Sequence, residues 1–316
     1  MKVKFWGVRG SIPTPLTFSN YKSSLLKILE IAASKDITSH EKRLSFINEL
    51  SLEKTNLIGG NTTCIQIENE NSMLIFDMGS GIRELGYSLE KKINNKELNE
   101  LHIFLTHTHY DHISGFPFFL PAYNKDVTIN FYSVHKNLLS SLEAHQDFRF
   151  FPVLLGNMAS NKIFHQLIPD EIIEVNNFQI TNKELHHPGK SFAYRIEAGN
   201  KSVVLATDAE YINMSIEQIK SYLKFYNQTD LLIFDAQYSF DEEIQKIDWG
   251  HSSALYGLDI SINAEVKKLA LFHHAPDRSD DQICELLNTA LIYKKSNYPD
   301  STLEVFLARE SAIIEI

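Results

Sequence analysis

The sequence predicts an α/β fold with many strands and a helical insertion after the first of them. Short apolar runs of β type recur along the whole chain, and helix-period segments lie between several of them. One stretch near the N-terminus breaks that rhythm. At 316 residues, 43% hydrophobic and 22% charged, the chain is long enough to bury a sizeable core and has an ordinary globular composition.

In chain order the strand-like runs are KVKFWGV from Lys2, CIQIE from Cys64, MLIFD from Met73, HIFLTH from His102 and TINFYS from Thr128. FAYRIE from Phe192, SVVLATD from Ser202, LLIFDA from Leu231, KLALFHH from Lys268 and LEVFLA from Leu303 follow. IEQIKSYLKFY and QICELLNTALIYK repeat their apolar residues with helical period between such runs. From about Leu16 to Leu57, YKSSLLKILEIAAS and EKRLSFINELSL both read as helices and carry no candidate ligand, which defines the insertion. The segment AHQDFRFFPVLLGNMAS is rich in aromatic residues and reads either as a lid over a site or as a loop capping the core. With no repeat, low-complexity tract or flexible linker, residues 1–316 are expected to form one domain.

The formal net charge of −10 excludes a global positive field that would hold a long nucleic acid by its phosphates. A small anionic substrate remains open, since a bound metal reverses the local sign. MKVKFWGVRG lacks the apolar core of a signal peptide, and no run of roughly 18 apolar residues occurs, so a cytoplasmic protein without membrane contact is expected. Cys64 and Cys284 are the only cysteines and are not in a CxxC, which argues against a disulfide framework or a thiolate zinc site.

The chemistry concentrates in THTHYDHISG, from Thr106 to Gly115. LHIFL before it reads as a buried strand and ISGFPFF after it as the start of a short helix. The polar cluster is therefore expected on the connecting loop at a strand's carboxyl end, where ligand sites of α/β sheets gather. There His107, His109, Asp111 and His112 can converge, and imidazoles with a carboxylate suit zinc, with manganese or iron as alternatives. Completion of two metal sites needs groups from other strand ends. The candidates are His187, with His186 beside it, in ELHHPGK; Asp208 in ATDAEY; and His273 or His274 after KLALF.

This arrangement, HxHxDH followed by His, Asp and His, resembles the metallo-β-lactamase superfamily of αββα metallohydrolases over nearly the whole chain. The resemblance implies an αββα sandwich holding two Zn²⁺ per subunit, with Mn²⁺ as the alternative. It assigns His107, His109 and His187 to the first metal, Asp111, His112 and His273 to the second, and Asp208 to a bridge. Oxygen- and nitric-oxide-reducing relatives typically carry Glu where this chain has His109, so a hydrolytic site is implied.

WGHSSALYGLDIS, between Asp208 and His273, resembles the histidine-containing element of phosphodiesterase members such as tRNase Z. Cleaving a phosphodiester between two metals leaves an alkoxide that must receive a proton. His251 is the candidate acid and Asp235 the carboxylate that orients it, with Asp111 a further member of the catalytic set. FWGVRGSIPTP, GGNTTC, FDMGSGIRELG and HHAPDRSDD resemble the branch that includes bacterial and phage cyclic-nucleotide phosphodiesterases, among them the anti-Pycsar proteins. That branch often reads HHDP, and Ala275 stands here in place of the Asp, which removes a carboxylate that touches no metal directly. Asp77 is expected to brace the histidine loop. Arg9, Asn61 and Thr62 are candidate substrate contacts, although the glycines around them also suit tight turns.

The resulting expectation is a dinuclear-metal phosphodiesterase opening 3′,5′-cyclic nucleotides, in a homodimer as the resemblance implies. A tRNA 3′-processing endonuclease would use the same metals and acid, and a non-catalytic nucleotide-binding module would have kept the fold alone. The acidic balance and the lack of a Gly/Lys-rich arm stand against the endonuclease. A complete ligand set stands against the binding module.

Overall fold

The computed structural model describes residues 1–50, 55 and 57–316. Two seven-stranded mixed sheets are flanked by helices. The first sheet takes β1 (Lys2–Gly7), β2 (Cys64–Asn69), β3 (Ser72–Phe76), β4 (Glu100–Phe104), β5 (Thr128–Ser133) and β6 (Asn161–Gln166), in that order. The second takes β7 (Ile172–Val175), β8 (Phe178–Leu185), β9 (Ser191–Ala198), β10 (Lys201–Ala206), β11 (Leu231–Asp235), β12 (Lys268–Phe272) and β13 (Glu304–Leu307), each beside the next. The last strand, β14 (Ile313–Glu315), crosses back to pair with β1.

Each sheet begins as an antiparallel meander and turns parallel where helices supply the crossovers. The change comes at β3/β4 in the first sheet and at β10/β11 in the second. These crossovers are α3 (Ile82–Asn94) after β3, α4 (Tyr110–Ile113) after β4, and α5 (Leu138–His145) after β5. In the second half they are α6 (Ile216–Tyr226), α7 (Phe240–Gln245), α8 (Ala254–Asn263) and α9 (Asp280–Asn297). All ten strand-like runs of the sequence form strands. Sequence reading passes over β6, β7, β8 and β14, because at these sheet margins apolar and exposed polar residues alternate, as in FQITNKEL, and no continuous apolar run forms.

Phe5, Phe76, Phe104, Tyr194, Phe234 and Phe272 fill one buried cluster shared by the two sheets. A second, built from Ile82, Leu85, Ile103, Phe116 and Phe131, lies under α3 and α4. One contact ties the sheets together beside the future site: the buried Tyr194 of β9 donates its hydroxyl to Leu105 O, 2.8 Å away, just past the end of β4.

The insertion forms α1 (Phe18–Ala32) and α2 (His40–Asn48), capped by Thr17 and Ser39. The end of the second expected helix, at 51 and 52, lies outside the described residues. Only Ala32 of α1 is buried and nothing of α2, while Lys27 pairs with Asp281 at 2.5 Å and so links α1 to the start of α9. The aromatic segment after α5 divides its roles: Leu155 and Met158 cap the core, whereas Phe148 and Phe150 stand exposed.

Among the described residues no helix is long and apolar enough to cross a membrane.

Glu243, on α7, is 1% exposed, and burial pushes its pKa from the usual 4.5 up to about 7, with Asp235 and Glu210 adding repulsion. Its folded pKa lies above the unfolded one, so its contribution is fully present below about pH 4.5 and is lost as the pH rises through about 7. Glu243→Gln is therefore expected to add little stability at low pH and on the order of 2 kcal/mol above neutrality. Urea unfolding in acid and in mild base checks this, and a pH-independent difference would refute it.

Candidate metal centre

The loop after β4 meets the ends of β3, β8, β10, β11 and β12 at one edge of the two sheets. Asp77, just past β3, accepts from Thr106 N and Thr106 Oγ1, each at 2.8 Å, and lies 2.8 Å from His112 Nδ1. It thereby fixes both the turn and the ring, as expected of a carboxylate bracing the histidine loop. The helix begins earlier than the sequence suggests. His107 and His109 lie on the loop, but Asp111 and His112 sit in α4, which starts at Tyr110.

Two clusters result. His107, His109 and His187 each offer a nitrogen within 4.8 Å of the others, and so do the donor atoms of Asp111, His112, Asp208 and His273. Asp208 stands between them: its Oδ1 is 3.9 Å from His107 Nε2 and 4.0 Å from His187 Nε2, and also 3.3 Å from His273 Nε2. Its Oδ2 is 3.2 Å from His112 Nε2. The Nε2 atoms of His107 and His112 are buried without a hydrogen-bond partner among the described residues, an unfavourable state for a polar atom that a metal ion would relieve. The donor set therefore fits a dinuclear metal centre.

Other residues aim these donors. His187 Nδ1 donates to Gly250 O at 2.8 Å and His273 Nδ1 to Gln237 Oε1 at 2.9 Å, which turns each Nε2 toward the centre. Ser11 N donates to Asp111 Oδ2 at 2.7 Å. Gly250 has φ +80°, and a Cβ there would lie 2.2 Å from His187 Nδ1, so only glycine lets that carbonyl reach the ring. Gln237 and Ser11 escape sequence reading; for Gln237 the usable signal is its place two residues beyond the strand-end Asp235.

The adjacent histidines separate clearly. His186 is exposed, while His187 is buried in the cluster. His274 turns away to Ala308 O at 2.9 Å, and burial brings its pKa down to about 3. Burial also lowers the pKa values of His107, His109 and His187, which favours the neutral, ligating form. At His112 and His273 burial is outweighed by Asp208 and Asp111, and His273 rises to about 9.

His251 Nδ1 lies 2.7 Å from Asp235 Oδ2, and the His251 ring stacks on His273 with centroids 5.1 Å apart. Asp235 is wholly buried and also accepts from Gln237 N at 3.1 Å, so it is fixed from two sides. The His251 ring also lies against His187, and among the described residues its Nε2 has no hydrogen-bond partner.

The expected substrate contacts fare differently. Arg9 is 3% exposed, and its guanidinium donates to Gly59 O, Ala275 O, Arg278 O and Asp280, so it clamps loops and has no donor directed at the clusters. Its charge is neutralised by Asp280 instead of by a ligand. Thr62 is buried and exchanges hydrogen bonds with Ser80. Asn61 alone borders open space near Tyr110, although its amide is held by Glu310 and Ser80.

The two sheets and the strand-end donor clusters define a metallo-β-lactamase-type fold. Residues 74–274 match the family described as a beta-lactamase superfamily domain, and the chain belongs to that family. It is 24% identical to ribonuclease Z of Picrophilus torridus over 80% of this chain and 89% of that protein. Among solved structures it resembles the metallo-beta-lactamase fold protein YhfI of Bacillus subtilis, with TM-score 0.62, 19% identity, and 99% and 98% of the two chains covered. It also resembles the short form of human tRNase Z, with TM-score 0.61, 16% identity, and 100% and 99% covered.

Proposed function

We propose that this protein is a dinuclear-metal phosphodiesterase that opens 3′,5′-cyclic nucleotides to nucleoside monophosphates. It is a metal-dependent phosphoric diester hydrolase, and the observation that carries this reading is the Asp235–His251 pair beside two donor clusters that share Asp208. The bound metals would supply Lewis acidity toward the phosphate and an activated water. The protein's own contribution is to hold seven donors at fixed positions, keep Asp77 and Gln237 behind them, and present His251 Nε2 to the departing oxygen. We assign the ligand roles as the superfamily resemblance suggests: His107, His109 and His187 for one ion, Asp111, His112 and His273 for the other, and Asp208 for both.

A small substrate is favoured by charge. The net charge is −10, and residues 16–57 carry six Lys/Arg against five Asp/Glu, too balanced to grip a folded RNA by its phosphates. Similarity to ribonuclease Z proteins favours the second reading, removal of a 3′ trailer from precursor tRNA.

Product analysis of the metal-loaded protein with 3′,5′-cyclic purine and pyrimidine nucleotides, 2′,3′-cyclic nucleotides and precursor tRNA tests both. Turnover of a 3′,5′-cyclic nucleotide that vanishes in His107→Ala is the expected result. Cleavage of precursor tRNA with no cyclic-nucleotide turnover would replace the first reading by the second. Tight nucleotide binding without any turnover would leave a binding module.

A further inference from the structure

We propose that the cavity on the outer side of α4 is the seat of the substrate's nucleobase, an inference that rests on the phosphodiesterase reading above. The cavity measures about 630 Å³ and is bordered by Pro13, Leu16, Arg83, Tyr110, Ser114 and Phe118. That volume lies within the range of small-molecule sites, and a base with its ribose fits it.

The cavity adjoins the metal centre across α4 and the loop after β1, in which Ser11 N reaches Asp111 and Pro13 borders the cavity. Tyr110 and Ser114, four residues apart on one helical face, border the cavity, while Asp111 and His112 between them point into the second donor cluster. A nucleotide bound with its phosphate at the metals would then turn past Tyr110 into this cavity.

The lining suits a flat aromatic ligand. Tyr110 is 62% and Phe118 56% exposed, so both rings are accessible to a ligand. Both rest against the end of α5 and the aromatic segment that follows it. Phe118 meets Phe151 edge-on at 5.4 Å, and Tyr110 meets His145 at 5.5 Å. The rings are therefore fixed before a ligand arrives, which limits the entropy lost on stacking. Among the described residues the Arg83 side chain is paired only with its exposed neighbour Glu84. Its remaining donors can bond the edge of a base.

The test compares a 3′,5′-cyclic nucleotide with the base-free cyclic phosphate of 1,2-dideoxyribose in wild type, Phe118→Ala, Tyr110→Ala and the conservative Phe118→Tyr. In parallel, calorimetry compares a nucleoside 5′-monophosphate with ribose 5-phosphate on the same metal-loaded proteins. Wild type should prefer the base-bearing compound at least tenfold, chiefly through KM. The preference should fall about tenfold in each alanine variant, in line with the loss of one stacking partner, and persist in Phe118→Tyr.

Hydrolysis by wild type with no preference for the base, or a preference that both alanine variants retain, overturns the seat and leaves the phosphodiesterase standing. Absence of all turnover, with nucleotide binding that exceeds ribose phosphate binding and collapses in the alanine variants, supports the seat while removing the hydrolytic reading. Since both side chains are more than half exposed, the variants should melt close to wild type, and a matched Tm separates lost recognition from lost fold.

Discussion

Asp208→Asn is expected to lower kcat by on the order of 10³-fold or more, the equivalent of several kcal/mol of charge stabilisation, and to leave fewer than two metal ions per chain. Asp208 lies within 4.0 Å of imidazole nitrogens of five histidines, His107, His112, His187, His251 and His273. Its pKa is held well below the usual carboxylate range by His273, His112 and His107 against the effect of burial, so the charge persists across ordinary pH. Asparagine is the cleaner replacement, since Asp208 has φ +58°, a conformation asparagine tolerates and alanine does not.

The measurement pairs elemental analysis of metal content with steady-state kinetics, at a pH where loading is complete. The pH matters because His273 holds a proton up to about 9 in the metal-free cluster, so a metal ion must displace that proton and apparent affinity rises with pH below that value. Two ions per chain with activity within tenfold of wild type would show that Asp208 is not the shared ligand.

Much of the donor set was legible in the sequence because several members sit where an apolar run stops. LHIFL, SVVLA, LLIF and KLALF announce buried strands, and His107, Asp208, Asp235 and His273 follow or end them. The choice between neighbours was not legible, since HH in LHHPG and FHHAP gives no sign of which ring turns inward; backbone conformation decides it. His273 has φ +59°, and the left-handed residue swings its ring to Gln237 while His274 passes to the other side of the strand. Asp77 and Asp208 share this conformation, at φ +60° and +58°. Three strained non-glycine residues at strand ends that face the clusters mark a place where the fold sacrifices local preference to aim donor atoms.

Arg9 illustrates the opposite failure. GVRG between a strand and a turn reads as a phosphate contact, but the bonds that engage its guanidinium come from Gly59, Ala275, Arg278 and Asp280, all but the first more than 260 positions away. No local pattern could reveal partners at that sequence separation. The strands β6 to β8, the first two at sheet edges, escape sequence reading for a related reason, since their pairing is set by neighbours and only weakly by their own composition.

His251→Ala should lower kcat for alkyl phosphodiesters by about 10² to 10⁴-fold while both metal ions remain bound. Its Nδ1 is committed to Asp235 at 2.7 Å and lies 4.0 Å from Asp208 Oδ1, a geometry that leaves Nε2 free to hand a proton to a leaving alkoxide. A nitrophenolate leaving group needs no such proton, so a nitrophenyl phosphodiester should lose far less than an alkyl one. That contrast distinguishes an acid from a residue that merely shapes the site. Asp235→Asn should show the same leaving-group dependence, because the amide lacks the carboxylate's charge and its NH₂ can donate to Nδ1, so the ring loses its fixed tautomer. A competing role is built into the geometry: Asp208, Asp235, His251 and His273 also offer donors within 4.8 Å of one another. If His251→Ala releases metal and cuts both substrate types equally, His251 is a ligand and the proton must come from elsewhere.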